Sequence, residues 1–238
     1  MNVAPVKTSI FKEGNDLLAF IKKYVKALPE RSLLVVTSKI VALAERRTAI
    51  AKTEREKGRL IKKESEWAMR TKYVWLTIRD RMVMASAGID MSNGNGKLVL
   101  LPKDSFATAA RIRKQLQQHY GVKKLGVIVS DSRAFPLRSG IVGVALGYAG
   151  FKGIKNYCGK PDLFGRKFLY SKVDIADSIA TAAVLTMGEG NERQPLAVIK
   201  DPPVEFTDRL SRHDLEINLA DDLYQPFFEN IKTLRLKK

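Results

Sequence analysis

Apolar residues recur at helical spacing over positions 16–26, where Leu17, Leu18, Phe20, Ile21, Tyr24 and Val25 fall on one side of a helix. The run SLLVVTSKIVA (32–42) begins as an unbroken β-rich apolar stretch, the pattern of a buried strand, and ends on polar residues. Positions 44–69 carry opposite charges at helical spacings and predict a solvated helix. YVWLTIRD and RMVMASAG then read as two strands joined at an Arg-Asp-Arg turn, a hairpin. Positions 104–120 form an amphipathic helix pattern, with Asp104 or Ser105 as N-cap and Gly121 as the stop.

LGVIVSDS (125–132) predicts a buried strand that ends in an aspartate. GIVGVALGYAG (140–150) holds too many glycines for a stable helix and predicts close backbone packing. After the loop NYCGKPDLFGR come a strand, KFLYSKVDI, an alanine-rich helix, ADSIATAAVLTMG, and a short strand, PLAVIK. A DPP break follows at 201–203, and a terminal helix is expected over 221–232. Strands outnumber helices without regular βαβ alternation, so the expected class is α+β.

The composition, 45% hydrophobic and 28% charged over 238 residues, is that of a water-soluble chain able to bury a substantial core. No apolar run approaches the roughly 20 residues of a membrane helix, and the first residues lack a secretory layout. A cytoplasmic protein is expected. A single cysteine, Cys158, and two scattered histidines, His119 and His213, leave no Cys- or His-based metal centre. The net charge of +17 admits nucleic acid, an anionic membrane or small polyanions as partners. The excess is local: twelve Lys or Arg face five Asp or Glu from Arg46 to Arg81, against seven and eight from Lys200 onward. No nucleic-acid-binding motif accompanies it, which disfavours nucleic acid.

The chemistry-bearing residues sit at the ends of apolar segments. VVTSK places Ser38 and Lys39 at a strand end. The loop SAGIDMSNGNGKLVLLP carries Asp90 and Asn93, VSDS carries Asp131 and Ser132, and MGEGN sets Glu189 between two glycines. Separated carboxylates with hydroxyl and amide oxygens form a hard ligand set that suits Mg²⁺ or Mn²⁺. Glycines beside them let backbone N–H groups approach phosphate. Each residue alone also has an ordinary role open to it: Asx-turn for Asp90, cap or turn for Asp131, solvated loop for Glu189. The quoted loop is no P-loop, because Leu98 follows Gly96-Lys97 and Met91 stands where the first glycine belongs.

Taken in order from about position 7 to 200, the series VVTSKIVALAE, SAGIDMSN, LLPKDSFATAARIR, VIVSDSRAFPLRSG, GYAGFKGIKNYCGKPDLFGR, DIADSIATAA and LTMGEGN resembles the coenzyme F420-0:L-glutamate ligase family. That resemblance implies a two-part α+β fold over residues 1–200, an intertwined homodimer, and a C-terminal extension over 201–238. It implies GTP or ATP and Mg²⁺ or Mn²⁺ as cofactors, and γ-glutamyl amide formation on a carboxylate acceptor through an acyl phosphate. Asp90, Asp131 and Glu189 fall at metal-ligand positions, with Ser132 where the family usually has Thr. Ser38, Lys39, Asn93 and the segment Thr8, Ser9, Ile10 and Phe11 fall at nucleotide-contact positions. The loop holding Met187, Gly188, Gly190 and Asn191 would lie along the nucleotide, and Arg138 and Lys39 would hold phosphate or carboxylate.

Two departures stand out: Leu43 replaces a family lysine and Phe135 a family arginine. Losing a charged hydrogen-bond partner costs on the order of 1.5–3 kcal/mol unless another group substitutes; Lys39, Arg46 and Arg133 lie nearby in sequence. The departures resemble a bacterial subgroup for which a folate-type acceptor has been suggested in place of F420-0. A non-catalytic nucleic-acid-binding or regulatory protein on the same fold is the alternative, but it has no use for the retained carboxylates.

Overall fold

The structure is a computed structural model and describes residues 1–209 and 212–229. In chain order the first elements are β1 (Asn2–Val6), α1 (Leu17–Tyr24), β2 (Ser32–Thr37), α2 (Ser38–Ala44), β3 (Thr48–Ala49), α3 (Glu54–Lys63), β4 (Trp67–Arg70), β5 (Trp75–Arg79) and β6 (Met82–Ala85). β7 (Leu98–Val99), α4 (Ser105–Tyr120), β8 (Leu125–Arg133), β9 (Val142–Ala149), β10 (Ile154–Asn156), β11 (Lys172–Asp174), α5 (Ile175–Met187), β12 (Leu196–Lys200) and α6 (Gln225–Glu229) complete it.

One five-stranded sheet, ordered β1-β12-β2-β8-β9, organises the core. β2 and β8 are parallel and the other pairings antiparallel. Side chains alternate across it, as the strand repeat requires. Leu34, Val36, Val127, Val129, Leu196 and Val198 pack with α1, α2 and α4 on one face. Leu33, Val35, Ile128, Ala197 and Ile199 pack with α5 on the other. Both faces are covered, which is why these strands read as continuous apolar runs. The class is mixed α and β, as expected.

The glycines of β9 serve close packing. A Cβ on Gly143 would stand 2.4 Å from the Ala180 carbonyl oxygen of α5, and one on Gly147 would stand 2.4 Å from Ser105 in α4. Asp104 caps α4 through its side chain and Gly121 ends it in the left-handed region. The β5–β6 hairpin turns at Asp80 and Arg81, both left-handed, so the two-residue turn matches the strand twist.

Several elements differ from the sequence reading. The charged stretch 44–69 is not one helix: α3 covers its middle, β3 precedes it, and β4 follows and pairs with β5. β8 runs past Asp131 to Arg133, and of KFLYSKVDI only the end is strand, paired with β10. β1 was not anticipated, since Pro5 interrupts its pattern; as the edge strand it tolerates proline. α6 lies within the expected terminal helix, and the rest of that span falls outside the described residues. Among the described residues no helix is long and apolar enough to cross a membrane.

Candidate functional site

The chain turns from β2 directly into α2, which sets Ser38 and Lys39 at the end of the sheet's parallel pair. Ser38 is buried and donates its hydroxyl to Asp131 Oδ1 at 3.2 Å. Lys39 points to another loop: its Nζ lies 2.7 Å from Asp90 Oδ2, 2.8 Å from Ser92 Oγ and 3.0 Å from the Ser92 carbonyl oxygen.

The Asp90 loop is entered through a tight turn. Ser86, Ala87 and Gly88 are all left-handed, with φ of 52°, 54° and 69°. For Ser86 and Ala87 that conformation costs about 1–3 kcal/mol each, so surrounding contacts must enforce it. Beyond the turn, Asp90 Oδ1 accepts the Ser92 N–H at 2.8 Å, an Asx-turn, and the Ser92 hydroxyl bonds Oδ2. Asp90 thus has both its ordinary turn role and a lysine partner. Partial burial raises its carboxyl, but the bonds from Lys39 and Ser92 outweigh burial and hold it below the usual range. Asn93, also left-handed, reaches across to the Gly190 carbonyl oxygen at 3.5 Å.

At the end of β8, Asp131 and Ser132 are neighbours on a strand, so their side chains leave on opposite faces. Asp131 faces Ser38 of α2, and Ser132 bonds Glu189 just beyond α5. Burial pushes the Asp131 carboxyl up, against the lowering influence of Arg133, the Ser132 N–H and Ser38. Arg133 is itself buried. Its Nη1 donates to the Val83 carbonyl oxygen at 3.3 Å, while Nε and Nη2 find no partner.

α5 ends at Met187, and Gly188, with φ of 80°, opens the glycine loop. Glu192 folds back over that loop and accepts the Gly190 N–H at 2.8 Å. With φ of 80° Gly188 adopts a conformation that side chains rarely take, and a Cβ there would also have to displace the Glu192 carboxyl, 2.5 Å away. Thr8 joins the loop's far end through its N–H to the Arg193 carbonyl oxygen at 2.8 Å.

Four polar loops therefore meet. Contacts link Lys39 to Asp90, Ser38 to Asp131, Ser132 to Glu189, and Asn93 to Gly190. Other named residues lie differently. Met187 is buried in the α5 core and Phe11 stacks edge-on with Phe20, while Ile10 is exposed. Ser9 accepts from the Tyr24 hydroxyl at 2.7 Å, and Asn191 is exposed. The Arg138 backbone N–H bonds the Phe135 carbonyl oxygen at 3.3 Å, and its guanidinium makes no hydrogen bond or ion pair among the described residues. Among the described residues no three His, Cys, Asp or Glu side chains are grouped to hold a metal ion. Ser92 and Glu192 were not singled out from sequence; the Asp-x-Ser spacing of an Asx-turn signals the first, and nothing local signals the second.

The ordered series of motifs is matched as a whole by the family model described as F420-0:Gamma-glutamyl ligase, over residues 5–201. The chain belongs to this family. Relatives named coenzyme F420:L-glutamate ligase are similar to it, several of them along most of their length. One from Methanococcus maripaludis (strain C7 / ATCC BAA-1331) is 32% identical over 214 residues, 82% of this chain and 85% of the relative. One from Archaeoglobus fulgidus is 32% identical over 220 residues, 84% and 87% of the two chains. One from Methanocaldococcus jannaschii is 40% identical over 124 residues, about half of each.

Within the family frame, the two departures have different surroundings. Leu43 is packed in the core beside α1. Phe135 is half-exposed, on the segment that leaves β8.

Proposed function

We propose that the chain is a ligase that joins the amino group of L-glutamate to the carboxylate of a cofactor, F420-0 or a folate-type acceptor, driven by GTP or ATP. The observation that carries this reading is the meeting of the four loops, within a chain whose relatives bear the name coenzyme F420:L-glutamate ligase.

In this reading the acceptor carboxylate attacks the γ-phosphorus and the nucleoside diphosphate leaves. The glutamate amine then attacks the acyl phosphate, forming the amide and releasing inorganic phosphate and a proton. Lys39 is the cation best placed for phosphate charge, and Arg138 is free to turn toward a carboxylate or phosphate. Asn93 and the backbone N–H groups of Gly188–Asn191 would hold the nucleotide. The Asp90, Asp131 and Glu189 carboxylates with the Ser132 hydroxyl are oxygen donors only, which fits Mg²⁺ or Mn²⁺ in kind. Because they are spread over two faces of β8, one or two of them would hold the ion, with phosphate oxygens and water completing its shell. When bound, the ion would neutralise phosphate charge. The basic excess of the chain suits three anionic substrates.

A homodimer is part of the proposal. Leu163 and Phe164, at the tip of the 154–174 hairpin, are 97% and 95% exposed, an apolar end that a second copy would cover.

The test is incubation of purified protein with glutamate, Mn²⁺ and either nucleotide, offering F420-0 or a reduced folate. A mass gain of one glutamyl unit on one acceptor supports the reading and identifies that acceptor. No product with any combination contradicts it.

A further inference from the structure

One largely buried carboxylate joins two arginines that hold the two sides of the loop that carries Asp90. Glu64, at the C-terminal end of α3, accepts on Oε2 from Arg47 Nη2 at 2.5 Å and from Arg79 Nη1 at 2.9 Å. Its side chain is 14% exposed, and Arg79 is almost fully buried. Each arginine holds a different strand of the loop's base. Arg79 Nη1 also reaches the Ala87 carbonyl oxygen, at 3.4 Å, on the entering side. Arg47 Nε donates to the Leu101 carbonyl oxygen at 3.1 Å on the leaving side, and the Arg47 carbonyl accepts the Leu100 N–H at 2.9 Å.

The entering side is the left-handed turn at Ser86–Gly88. Ala87, with no solvent exposure, sends its N–H to the buried Thr77 hydroxyl at 2.8 Å, and that hydroxyl donates to the Met84 carbonyl oxygen at 2.7 Å. Between the two gripped points, Asp90 and Val99 exchange backbone hydrogen bonds of 3.0 and 2.8 Å. Asp90 is the first residue of this bridge, and Ser92 and Asn93 lie beyond it. The rest of the loop is mostly exposed and is held from outside by exposed polar contacts, Lys39 on Asp90 and Ser92, Lys97 on Glu13 at 2.6 Å and Asn93 on Gly190, whereas the Glu64 grip is its largely buried anchor.

We propose that Glu64, through Arg47 and Arg79, is a positioning residue: it sets the fraction of molecules in which the Asp90 loop stands ready for ligand. This rests on the reading that Asp90 belongs to the nucleotide and metal site. Glu64 touches neither Lys39 nor Asp90, so it acts only through the loop's base. Releasing the grip lets the strained turn relax and lowers the competent fraction. Apparent affinity falls by that fraction, while the ligand-bound state is unchanged.

The experiment uses full-length Glu64→Gln, which keeps the shape and one acceptor oxygen, and Arg79→Lys, which keeps a charge for Glu64. Hydrogen exchange by residue segment is measured with and without Mn²⁺–GTP, together with Mn²⁺–GTP affinity and ligation kinetics. The expected result is exchange about tenfold faster over 87–100 but unchanged in β2 and β8, with protection restored by saturating Mn²⁺–GTP. Affinity and KM weaken about tenfold at unchanged kcat, and Arg79→Lys lies between the two. Unchanged exchange over 87–100, acceleration spread through the core, or a fall in kcat at constant KM overturns the proposal. Asp90→Asn separates the two levels. Undiminished Mn²⁺–GTP binding in that variant refutes the site reading itself. Undiminished binding in Glu64→Gln, with Asp90→Asn impaired, refutes only the clamp.

Discussion

Lys39 and Asp90 are 51 positions apart in the chain, and their charged atoms are 2.7 Å apart. The pair ties the first turn of α2 to the glycine-rich loop, and Ser92 completes it from the side. An ammonium fixed in this way at the junction of four polar loops is ready to meet added negative charge.

Lys39→Met should therefore lower ligation about 100-fold or more, as loss of a preorganised charge donor does. Stability should fall by about 1 kcal/mol or less, because Asp90 is half-exposed and such pairs are weak. The carboxyl is held low in the folded state, so its contribution is present at neutral pH and is lost as pH falls through the folded pKa. Denaturation at pH 7 and pH 3 should show the variant losing less on acidification than the parent.

Asp131 is the opposite case, since burial raises its carboxyl. Asp131→Asn retains an acceptor for Ser38 and removes a poorly solvated charge. Its melting temperature should be unchanged or higher, while turnover falls at least about 100-fold. Thermal melts and steady-state rates read both; full activity would take Asp131 out of the site.

Asp177 supplies a pH test of the fold. Burial between α5 and β9 lifts its carboxyl to about 6, against the Ala145 N–H that bonds it at 2.8 Å, with Asp174 adding to the lift. A raised carboxyl pKa adds stability at low pH that disappears as pH rises from about 4 to about 6. Asp177→Asn should flatten the stability profile in that window and gain about 1–3 kcal/mol relative to the parent at pH 7. Urea titrations from pH 4 to pH 7 check it.

Phe164→Asp tests the dimer. The side chain has no intramolecular packing to lose at 95% exposure, so folding should be unaffected. Sedimentation should show a dimeric parent and a variant shifted toward monomer by about tenfold or more in dissociation constant, the effect of placing a charge in an apolar contact. A parent that sediments as monomer contradicts the homodimer.

Local signals account for most of what the sequence disclosed. α4 was legible because Asp104 and Gly121 mark its ends, and the β5–β6 turn because two polar residues interrupt two β-rich runs. β2, β8 and β12 were legible as unbroken apolar runs because helices cover both their faces. The charged stretch at 44–69 misled because salt-paired spacing also occurs where strands flank a short helix, and β4 exists only through its pairing with β5. At the site, residue types and order were readable, but convergence was not. Ser132 meets Glu189 across 57 positions and Asn93 meets Gly190 across 97, distances no local pattern encodes. The Gly94–Gly96 tail of the Asp90 loop proves to be turn chemistry: a Cβ on Gly94 would strike the Lys97 carbonyl oxygen, and Gly96 is left-handed with open space around it.

The most direct measurement of the central claim follows oxygen. An acceptor whose carboxylate carries ¹⁸O is incubated with the protein, Mn²⁺, nucleotide and unlabelled glutamate, and both products are weighed by mass spectrometry. The account predicts an acceptor heavier by one glutamyl unit and lighter by one labelled oxygen, with that oxygen recovered in inorganic phosphate. Nucleotide hydrolysis with unlabelled phosphate and no glutamyl product would contradict it.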